Sequence, residues 1–465
     1  MLTYMENGMR IISQTISKGH HLPVLQLVKK MSKALLIITM SIVIYVVGSP
    51  QPTDAQIIQL DPDLVSHIQE ALANNPDLAA WRNRVEAANE RIPQVGSWPD
   101  PTVGISIANL PTNTFAFDQE AMTAAWIKVG QRIPLGGKPK AKSRIAESNF
   151  EAIQIGQEDK IFVIAREVTQ TWYDWAYWQE AVKTVDINID LLENLIAAAR
   201  RKYETGRGLQ QDILRAETER TRLEDRRVVL RQTSLTTGRR MAVLLGRHPD
   251  NPPESPGGLS EAFIAVNREI LLRDLLKHNP SFNRIKAEVD ATEARISFAR
   301  RNWWPDLNLG VGYGYRQDSP EGMERPDFFT VSAGFSIPLY GGRKQGSAVE
   351  EAKAISREIV EQMKSLELEL RFALEKLLDE DKRLGEQTTL YREGVIPQAE
   401  ATLDAATAEY TVGRVDFEAL LMAETAVYNA QLDYFARLRD RLKTRAALSA
   451  LVGDEILIGK SEINH

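Results

Sequence analysis

The chain has 465 residues, of which 26% are charged and 43% hydrophobic, a balance that is typical of folded proteins. Its net charge of -6 gives no indication of nucleic-acid binding, so we expect no nucleic-acid partner. It contains no cysteine, which excludes disulfides, thiolate metal sites and a lipid-anchored cysteine.

An apolar segment near the start, residues 34–47, follows three lysines and gives way to Gly48-Ser49-Pro50. This layout is typical of a secretory signal peptide. Its 14 residues fall short of the roughly 20 that a membrane-spanning helix needs, so a retained anchor is the weaker alternative. We predict a leader and signal peptide over 1–55, with cleavage near Ala55-Gln56 and with Met31 as a more ordinary start.

Apolar residues recur at helical spacing over residues 61–91, which predicts an amphipathic helix with a bend at Asn75-Pro76. Four short segments alternate instead, with apolar residues on one face and small or polar residues on the other. Polar loops at 111–123 and 317–327 join them into two hairpins. The four predicted strands are 102–110, 124–133, 306–316 and 329–337.

Strands of about ten residues with this alternation are typical of a transmembrane β-barrel, although a soluble sheet with one solvated face also alternates. A membrane forbids open sheet edges, and the smallest closed barrels have about eight strands, so four strands per chain require an oligomer. Three chains would supply twelve strands and four would supply sixteen, and the pattern leaves that choice open. Aromatic residues expected at the membrane interface stand at the strand ends nearest the helices: Trp98, Trp303, Trp304 and Tyr340.

Long helices are predicted between and after the strands. Residues 140–248 contain no proline and few glycines, and 203–208 form the natural turn. A helix over 138–203 would reach on the order of 100 Å, and such helices persist only by packing side by side. The second half repeats this over 342–410, with a kink at Pro397, and over 414–452.

The same motifs occur in the same order in both halves, which predicts an internal two-fold repeat. Each copy is predicted to contain a helix, then two strands, then a pair of long helices. The predicted repeats are 56–248 and 261–453, joined by a linker at 249–260 and followed by a loose tail at 454–465. The recurring elements are Asn75-Pro76 with Asn279-Pro280, Trp98-Pro99-Asp100 with Trp304-Pro305-Asp306, the Ile-Pro-Leu and Gly-Gly-basic elements at 133–138 and 337–343, and Tyr203, Gly206, Leu214, Ala216-Glu217 with Tyr410, Gly413, Leu421, Ala423-Glu424.

In this motif order the chain resembles the TolC family of outer-membrane export ducts, from about residue 60 to residue 453. The resemblance implies an α+β membrane protein, mainly α. It implies a homotrimer whose four strands per chain form a twelve-stranded transmembrane β-barrel, continued by a long α-helical tunnel in the periplasm. It further implies that the protein lies in the outer membrane of a Gram-negative-type bacterium. The implied partners are a periplasmic adaptor and an inner-membrane pump of the RND type, and no cofactor is implied.

The resemblance also implies roles for residues at the two helix tips. Those expected to meet the adaptor are Tyr203, Gly206, Arg207, Tyr410, Gly413 and Arg414; those expected to close the tunnel are Tyr410, Asp416 and Glu418. Three acidic residues in a ring would favour cations. The alternatives are that the glycines supply only turn geometry, that the arginines are solvated, and that Asp416 caps the next helix.

The cargo is indicated by one closer likeness. Leu110-Pro111, the segment 117–123 and Gly136-Gly137-Lys138 resemble the Cus and Czc branches, which are associated with heavy-metal efflux. The histidines show no ligand spacing, so we predict no metal site in the duct itself. No nucleophile or phosphate-binding motif stands out, so we predict that the chain is not an enzyme. The alternative function is a periplasmic coiled-coil scaffold or adaptor without a membrane barrel, which leaves the four strands without a purpose.

Overall fold

The computed structural model describes residues 57–261 and 263–458 and is mainly helical. The predicted leader and signal peptide, with the cleavage site and Met31, lie outside the described residues, as do residues 459–465 of the predicted tail. The described elements are α1 (Pro62–Asn74), α2 (Pro76–Gly96), β1 (Thr102–Ala108), β2 (Ala124–Pro134), α3 (Lys138–Glu204), α4 (Gln210–Leu244), α5 (Arg268–His278), α6 (Pro280–Arg301), β3 (Asp306–Tyr315), β4 (Phe328–Phe335), α7 (Ser347–Leu390), α8 (Ile396–Thr411) and α9 (Phe417–Val452).

The expectation of one bent helix over 61–91 is wrong, because the chain forms two helices, α1 and α2. Asn75 between them has an extended backbone (φ -64°, ψ 124°), as expected before a proline. Its side chain accepts a hydrogen bond from the Asp77 N–H at 2.9 Å, and so caps α2. It also donates to the carbonyl of Leu244 at 3.0 Å. The break therefore ties the start of α2 to the end of α4.

Asn279 does the same in the second half of the chain. Its side chain caps α6 at the Phe282 N–H (2.8 Å) and donates to the carbonyl of Leu451 at 2.8 Å. Gly453 follows with φ +70°, and a Cβ there would press into the carbonyl of His278. The Asn-Pro motif thus fixes a helix junction in each half.

The long helices follow the sequence-based expectation closely. α3 has 67 residues, which corresponds to about 100 Å of helix. A π-helical turn, Tyr391–Val395, lies directly before α8 and close to Pro397, where the kink stays a prediction. None of the helices in the described part of the chain is both long and apolar enough to cross a lipid bilayer. The first residues of the predicted loose tail, Glu455–Ile458, form a 3₁₀-helix in which Leu457 is fully buried.

A buried ion pair joins the long helices α7 and α9. Arg445 on α9 is 4% exposed and donates twice to Asp381 on α7, at 2.6 and 2.8 Å. The same guanidinium donates to the carbonyls of Ile57 and Ile264 at 3.1 and 2.6 Å. One side chain therefore links two long helices to the first described residue and to the segment before α5.

The four strands form one antiparallel sheet in the order β1-β2-β3-β4, and both predicted hairpins are present. β2 and β3 are the central strands, so β1 and β4 are the edges of the sheet within one chain. Each observed strand lies within two residues of its predicted bounds. The register places Lys128 on β2 opposite Gly104 on one side and Gly312 on the other.

The apolar face of this sheet is exposed within one chain. Its side chains keep large fractions of their surface accessible: Val103 67%, Ile105 82%, Ile107 51%, Ile127 50%, Val311 46%, Phe329 73% and Val331 70%. Burial of such a face is strongly favourable. The sheet therefore needs an apolar environment that the described chain does not supply.

Candidate functional site

The first helix tip is the turn between α3 and α4. The Gly206 N–H bonds to the Tyr203 carbonyl at 2.9 Å and the Arg207 N–H to the Lys202 carbonyl at 2.9 Å. This is the closure that ends a helix with a left-handed residue, and Gly206 has φ +71°. Tyr203 is 48% exposed and Arg207 is exposed. A Cβ on Gly206 would meet nothing within 4 Å.

The second tip, between α8 and α9, repeats this geometry. The Gly413 N–H bonds to the Tyr410 carbonyl at 3.1 Å, the Arg414 N–H bonds to the Glu409 carbonyl at 2.9 Å, and Gly413 has φ +80°. Arg414 is exposed, but Tyr410 is only 7% exposed. The Tyr410 ring packs edge-on against Phe417 at 5.5 Å. Unlike Tyr203, it therefore lies inside the helix bundle, and its contact with an adaptor stays a prediction.

The fold brings the two tips together. Lys202 at the end of α3 donates to the Tyr410 carbonyl, and its ammonium group lies 3.9 Å from the centre of the Tyr410 ring. Such cation–π contacts add to the hydrogen bond. Arg215 on α4 pairs with Glu418 on α9 at 2.6 Å. The two hairpins are thus joined at their ends by contacts that no sequence motif predicted.

The predicted gate residues already have partners within the chain. Asp416 accepts from the Ala419 N–H at 2.9 Å and caps α9. Glu418 is held by Arg215. The capping alternative for Asp416 therefore describes its geometry in one chain, and the closing role of Tyr410, Asp416 and Glu418 stays a prediction.

Sequence reasoning missed the importance of Glu424, which lies farther along α9. It is 2% exposed, and its Oε1 has no hydrogen-bond partner among the described residues. Burial raises the pKa of Glu424 to about 7, and the negative charge of Glu219 on α4 adds to the shift. The signal was available, because the helical spacing of Phe417, Leu420 and Val427 places Glu424 beside an apolar stripe.

At the other end, the sheet meets the helices through the repeated Gly-Gly element. Gly136 has φ +69° and a Cβ there would overlap the ring of Trp304. Arg301 donates to the Gly136 carbonyl at 2.6 Å, and Lys138 donates to the Trp304 carbonyl at 2.7 Å. The predicted interface aromatics lie here and are exposed: Trp98 58%, Trp303 47%, Trp304 60% and Tyr340 78%. Their role at a membrane interface stays a prediction.

The described residues hold no group of three or more His, Cys, Asp or Glu side chains that could bind a metal ion. What the geometry offers is a pair of packed helix tips, a long helical body and a sheet with an exposed apolar face.

Comparison with known proteins decides the family. The model of the family described as outer membrane efflux protein matches residues 67–247 and 271–454. The chain belongs to the outer membrane efflux protein family. This confirms the resemblance to the TolC family inferred from the motifs. Members of this family are transport channels and not enzymes.

Relatives of this efflux protein have different named roles. The cobalt-zinc-cadmium resistance protein CzcC of Cupriavidus metallidurans is 22% identical over 386 residues, 82% of this chain and 88% of the relative. The pyoverdine export outer membrane protein OpmQ of Pseudomonas putida is 20% identical, over 84% of this chain and 86% of the relative. Among solved structures, CusC aligns with a TM-score of 0.73 at 17% identity, covering 87% of this chain and 96% of CusC. The open-state MtrE channel of Neisseria gonorrhoeae aligns with a TM-score of 0.69 at 16% identity, covering 84% and 89%.

Proposed function

We propose that the protein is the outer-membrane exit duct of a tripartite efflux system, working as a homotrimer. The observation that carries this proposal is the exposed apolar face of a four-stranded sheet whose edges, β1 and β4, have no partner strand in the described part of the chain. An open, apolar-faced sheet is stable in a bilayer only when its edges close. Three copies would close it as a twelve-stranded barrel.

The helical body supports the same proposal. From the sheet, α3 and α7 run toward the two tips, and their reach suits a tunnel that crosses the periplasm. Large apolar side chains also remain exposed along these helices, with Leu368 69% and Phe372 70% exposed on α7 and Val228 66% on α4. A trimer would bury such side chains between subunits. A periplasmic scaffold without a barrel would leave the apolar face of the sheet in water, so we regard it as the weaker alternative.

The tips would meet a periplasmic adaptor, and an inner-membrane pump, of the RND type by resemblance, would supply the energy. Gly206 and Gly413 each have open space around the missing Cβ. A tryptophan at either position would therefore protrude without overlapping other atoms, with a local backbone strain at positive φ. We expect Gly206→Trp and Gly413→Trp to weaken adaptor binding while leaving the trimer intact.

The tip assignment is tested by co-purification of the adaptor with each variant. Gly206→Ala, which shares the backbone strain at positive φ but adds little bulk, is the matched control. Adaptor binding that survives both tryptophan variants would remove these tips from the docking surface.

The duct itself is tested by single-particle electron microscopy of the protein extracted with detergent from outer membranes. A three-fold particle with a barrel at one end of a long helical body is expected. A monomeric particle, or one recovered without detergent, would refute the proposal.

The cargo is proposed separately. Heavy-metal cations are the sequence-based hypothesis, and the metal-resistance relatives support it. Relatives named for pyoverdine export and for toluene efflux support organic cargo. Growth of a deletion strain on cobalt, zinc or cadmium, compared with growth on organic toxicants, separates the two: sensitivity to the organic compounds alone would refute the metal hypothesis.

A further inference from the structure

The face of the sheet opposite the apolar one, here called the inward face, carries few bulky side chains. In the proposed barrel this face would line the water-filled channel. The inward-facing residues are Thr102, Gly104, Ser106 and Ala108 on β1, Ala124, Trp126, Lys128, Gly130, Arg132 and Pro134 on β2, Asp306, Asn308, Gly310, Gly312 and Gly314 on β3 with Arg316 after it, and Phe328, Thr330, Ser332 and Gly334 on β4 with Ser336 after it.

The charges on this inward face do not cancel. Asp306 is the one acidic residue on it within the four described strands, and it accepts hydrogen bonds from Arg132 (Nε, 3.0 Å) and Lys138 (2.7 Å). Arg316 donates to the carbonyls of Pro326 and Ala121, and Asp327 beside it offsets part of its charge. Lys128, halfway along β2, forms no ion pair with any described residue.

Lys128 is held over an aromatic side chain. Its ammonium group lies 5.2 Å from the centre of the Trp126 ring, and Trp126 stacks on Phe328 at 6.1 Å with an interplanar angle of 10°. The Arg316 guanidinium lies 4.2 Å from the centre of the Phe328 ring in the same pair. The aromatic faces attract both cations and restrict their motion.

Glycine makes this arrangement possible. A Cβ on Gly314 would lie 2.8 Å from the Trp126 ring, and one on Gly312 would lie 3.2 Å from Lys128 Cγ. Trp126 and Lys128 therefore lie across backbone that has no side chains of its own. The alternation of β2 places the two residues on the inward face, and the glycines of the neighbouring strand leave the space that their side chains occupy.

We propose that Lys128, positioned by Trp126, forms a three-fold cationic collar inside the barrel that favours anionic over cationic solutes at the exit of the duct. This inference rests on the proposed trimeric barrel. Rings of Lys or Arg select anions in pores, as rings of Asp or Glu select cations. A metal cargo would then pass the collar most readily as a neutral or anionic complex, since a free divalent cation is repelled most.

The size of the effect follows from the dimensions of the barrel. Twelve strands about 4.8 Å apart and tilted by about 40° give a wall radius of about 12 Å. The lysine head groups lie against the inner side of this wall, so they are within about one Debye length of the axis at 0.1 M salt (about 10 Å) but not at 1 M (about 3 Å). We therefore expect a preference for anions of roughly fivefold at about 0.1 M salt, and little at 1 M.

The first test is the reversal potential of the reconstituted protein in planar bilayers under a potassium chloride gradient, compared at low and high salt. Lys128→Gln should reduce the preference for chloride and Lys128→Glu should shift it toward potassium. Lys183→Gln is the matched control, because it removes a lysine that pairs with Glu180 away from the sheet. Equal reversal potentials in wild type and Lys128→Glu would overturn the collar.

A second test does not depend on whether the duct conducts. The fluorescence of Trp126, obtained by subtracting the signal of Trp126→Phe, is quenched with iodide, with caesium ions and with brominated lipid. We expect iodide to quench Trp126 more strongly than caesium ions do, and we expect this difference to be lost in Lys128→Gln. Equal quenching by the two ions would refute the collar while leaving the barrel in place. Quenching by lipid instead would place this face toward the membrane and refute the proposed barrel orientation as well.

Discussion

Replacement of Glu424 by glutamine tests whether the tip bundle responds to pH. Glu424 is buried on α9, between Leu420 and Tyr428, which belong to the apolar core formed with α3, α4 and α8. Glu219 on α4 faces Glu424 across the bundle and disfavours its ionisation, and Arg226 on α4 interacts with Tyr428, one turn farther along α9. No described cation pairs with its carboxylate.

The magnitude follows from the pKa of Glu424, which rises from 4.5 to about 7. A shift of this size corresponds to roughly 3 kcal/mol per chain, at 1.36 kcal/mol per pKa unit. The raised pKa means that the folded bundle disfavours the charged form of the carboxyl. Below pH 4.5 the carboxyl is neutral in both the packed and the separated bundle, so it costs nothing through ionisation. The penalty grows as the pH rises from about 4.5 to about 7 and is constant above that.

Glutamine remains neutral at every pH and nearly matches the shape of glutamate. We therefore expect Glu424→Gln to strengthen the packing of the two tip hairpins by up to about 3 kcal/mol above pH 7, and to change it little at pH 4.5. The assay is the protection of the amides of α9 near Glu424 from hydrogen exchange, measured at pH 5 and pH 8 and corrected for the intrinsic pH dependence of exchange.

The matched control is Glu217→Gln, the same substitution in the equivalent Ala-Glu element of the first half. Glu217 is partly exposed and pairs with Arg200 at 2.6 Å, so its replacement should cost only about 0–1 kcal/mol. Equal pH dependence of protection in wild type and Glu424→Gln, or weaker protection of the variant at pH 8, would show that the buried carboxyl does not control the packing.

Two further predictions concern the stability of the fold. Gly453→Ala combines a strained positive φ with overlap of the His278 carbonyl. It should lower the midpoint of thermal unfolding clearly more than Gly413→Ala, which adds only about 1 kcal/mol of strain. Equal shifts of the midpoint would refute the steric argument. Asp381→Ala leaves the Arg445 guanidinium buried without its carboxylate. It should lower the free energy of unfolding, measured with denaturant, by roughly 3–5 kcal/mol. A decrease below about 1 kcal/mol would show that water reaches the site.

The helices and strands that were predicted well are those with a regular local pattern of residues. The alternation of Leu309, Val311 and Tyr313 against glycines defined β3 to within one residue, because a sustained two-residue period is typical of a strand and of no helix. The scarcity of helix breakers over 140–202 defined α3 almost to its ends. Both features depend on neighbours in sequence, which a single chain displays directly.

Features that depend on distant partners were not predictable in this way. Pro76 accounts locally for the break after Asn75, but the hydrogen bond from the Asn75 side chain to the carbonyl of Leu244, 169 residues away, had no signal in the local pattern. The same holds for the burial of Tyr410, which depends on Phe417 and on Lys202 from the other hairpin. A periodic pattern shows which face of a helix is apolar, but not which helix covers it.

Glu424 and Lys128 stand out because most buried charges among the described residues are paired. Asp381 and Asp306 each have two cationic partners. Glu424 is buried without a cationic partner, and Lys128 lies on a glycine-lined face without an acidic partner, among the described residues. Neither arrangement contributes to stability, since an unpaired carboxylate in an apolar core is costly and a lone lysine in the sheet gains only its contact with Trp126. Departures from local consistency of this kind are expected at functional sites. Glu424 would weaken the packing of the tip hairpins above about pH 7, and Lys128 would favour anions at the proposed exit.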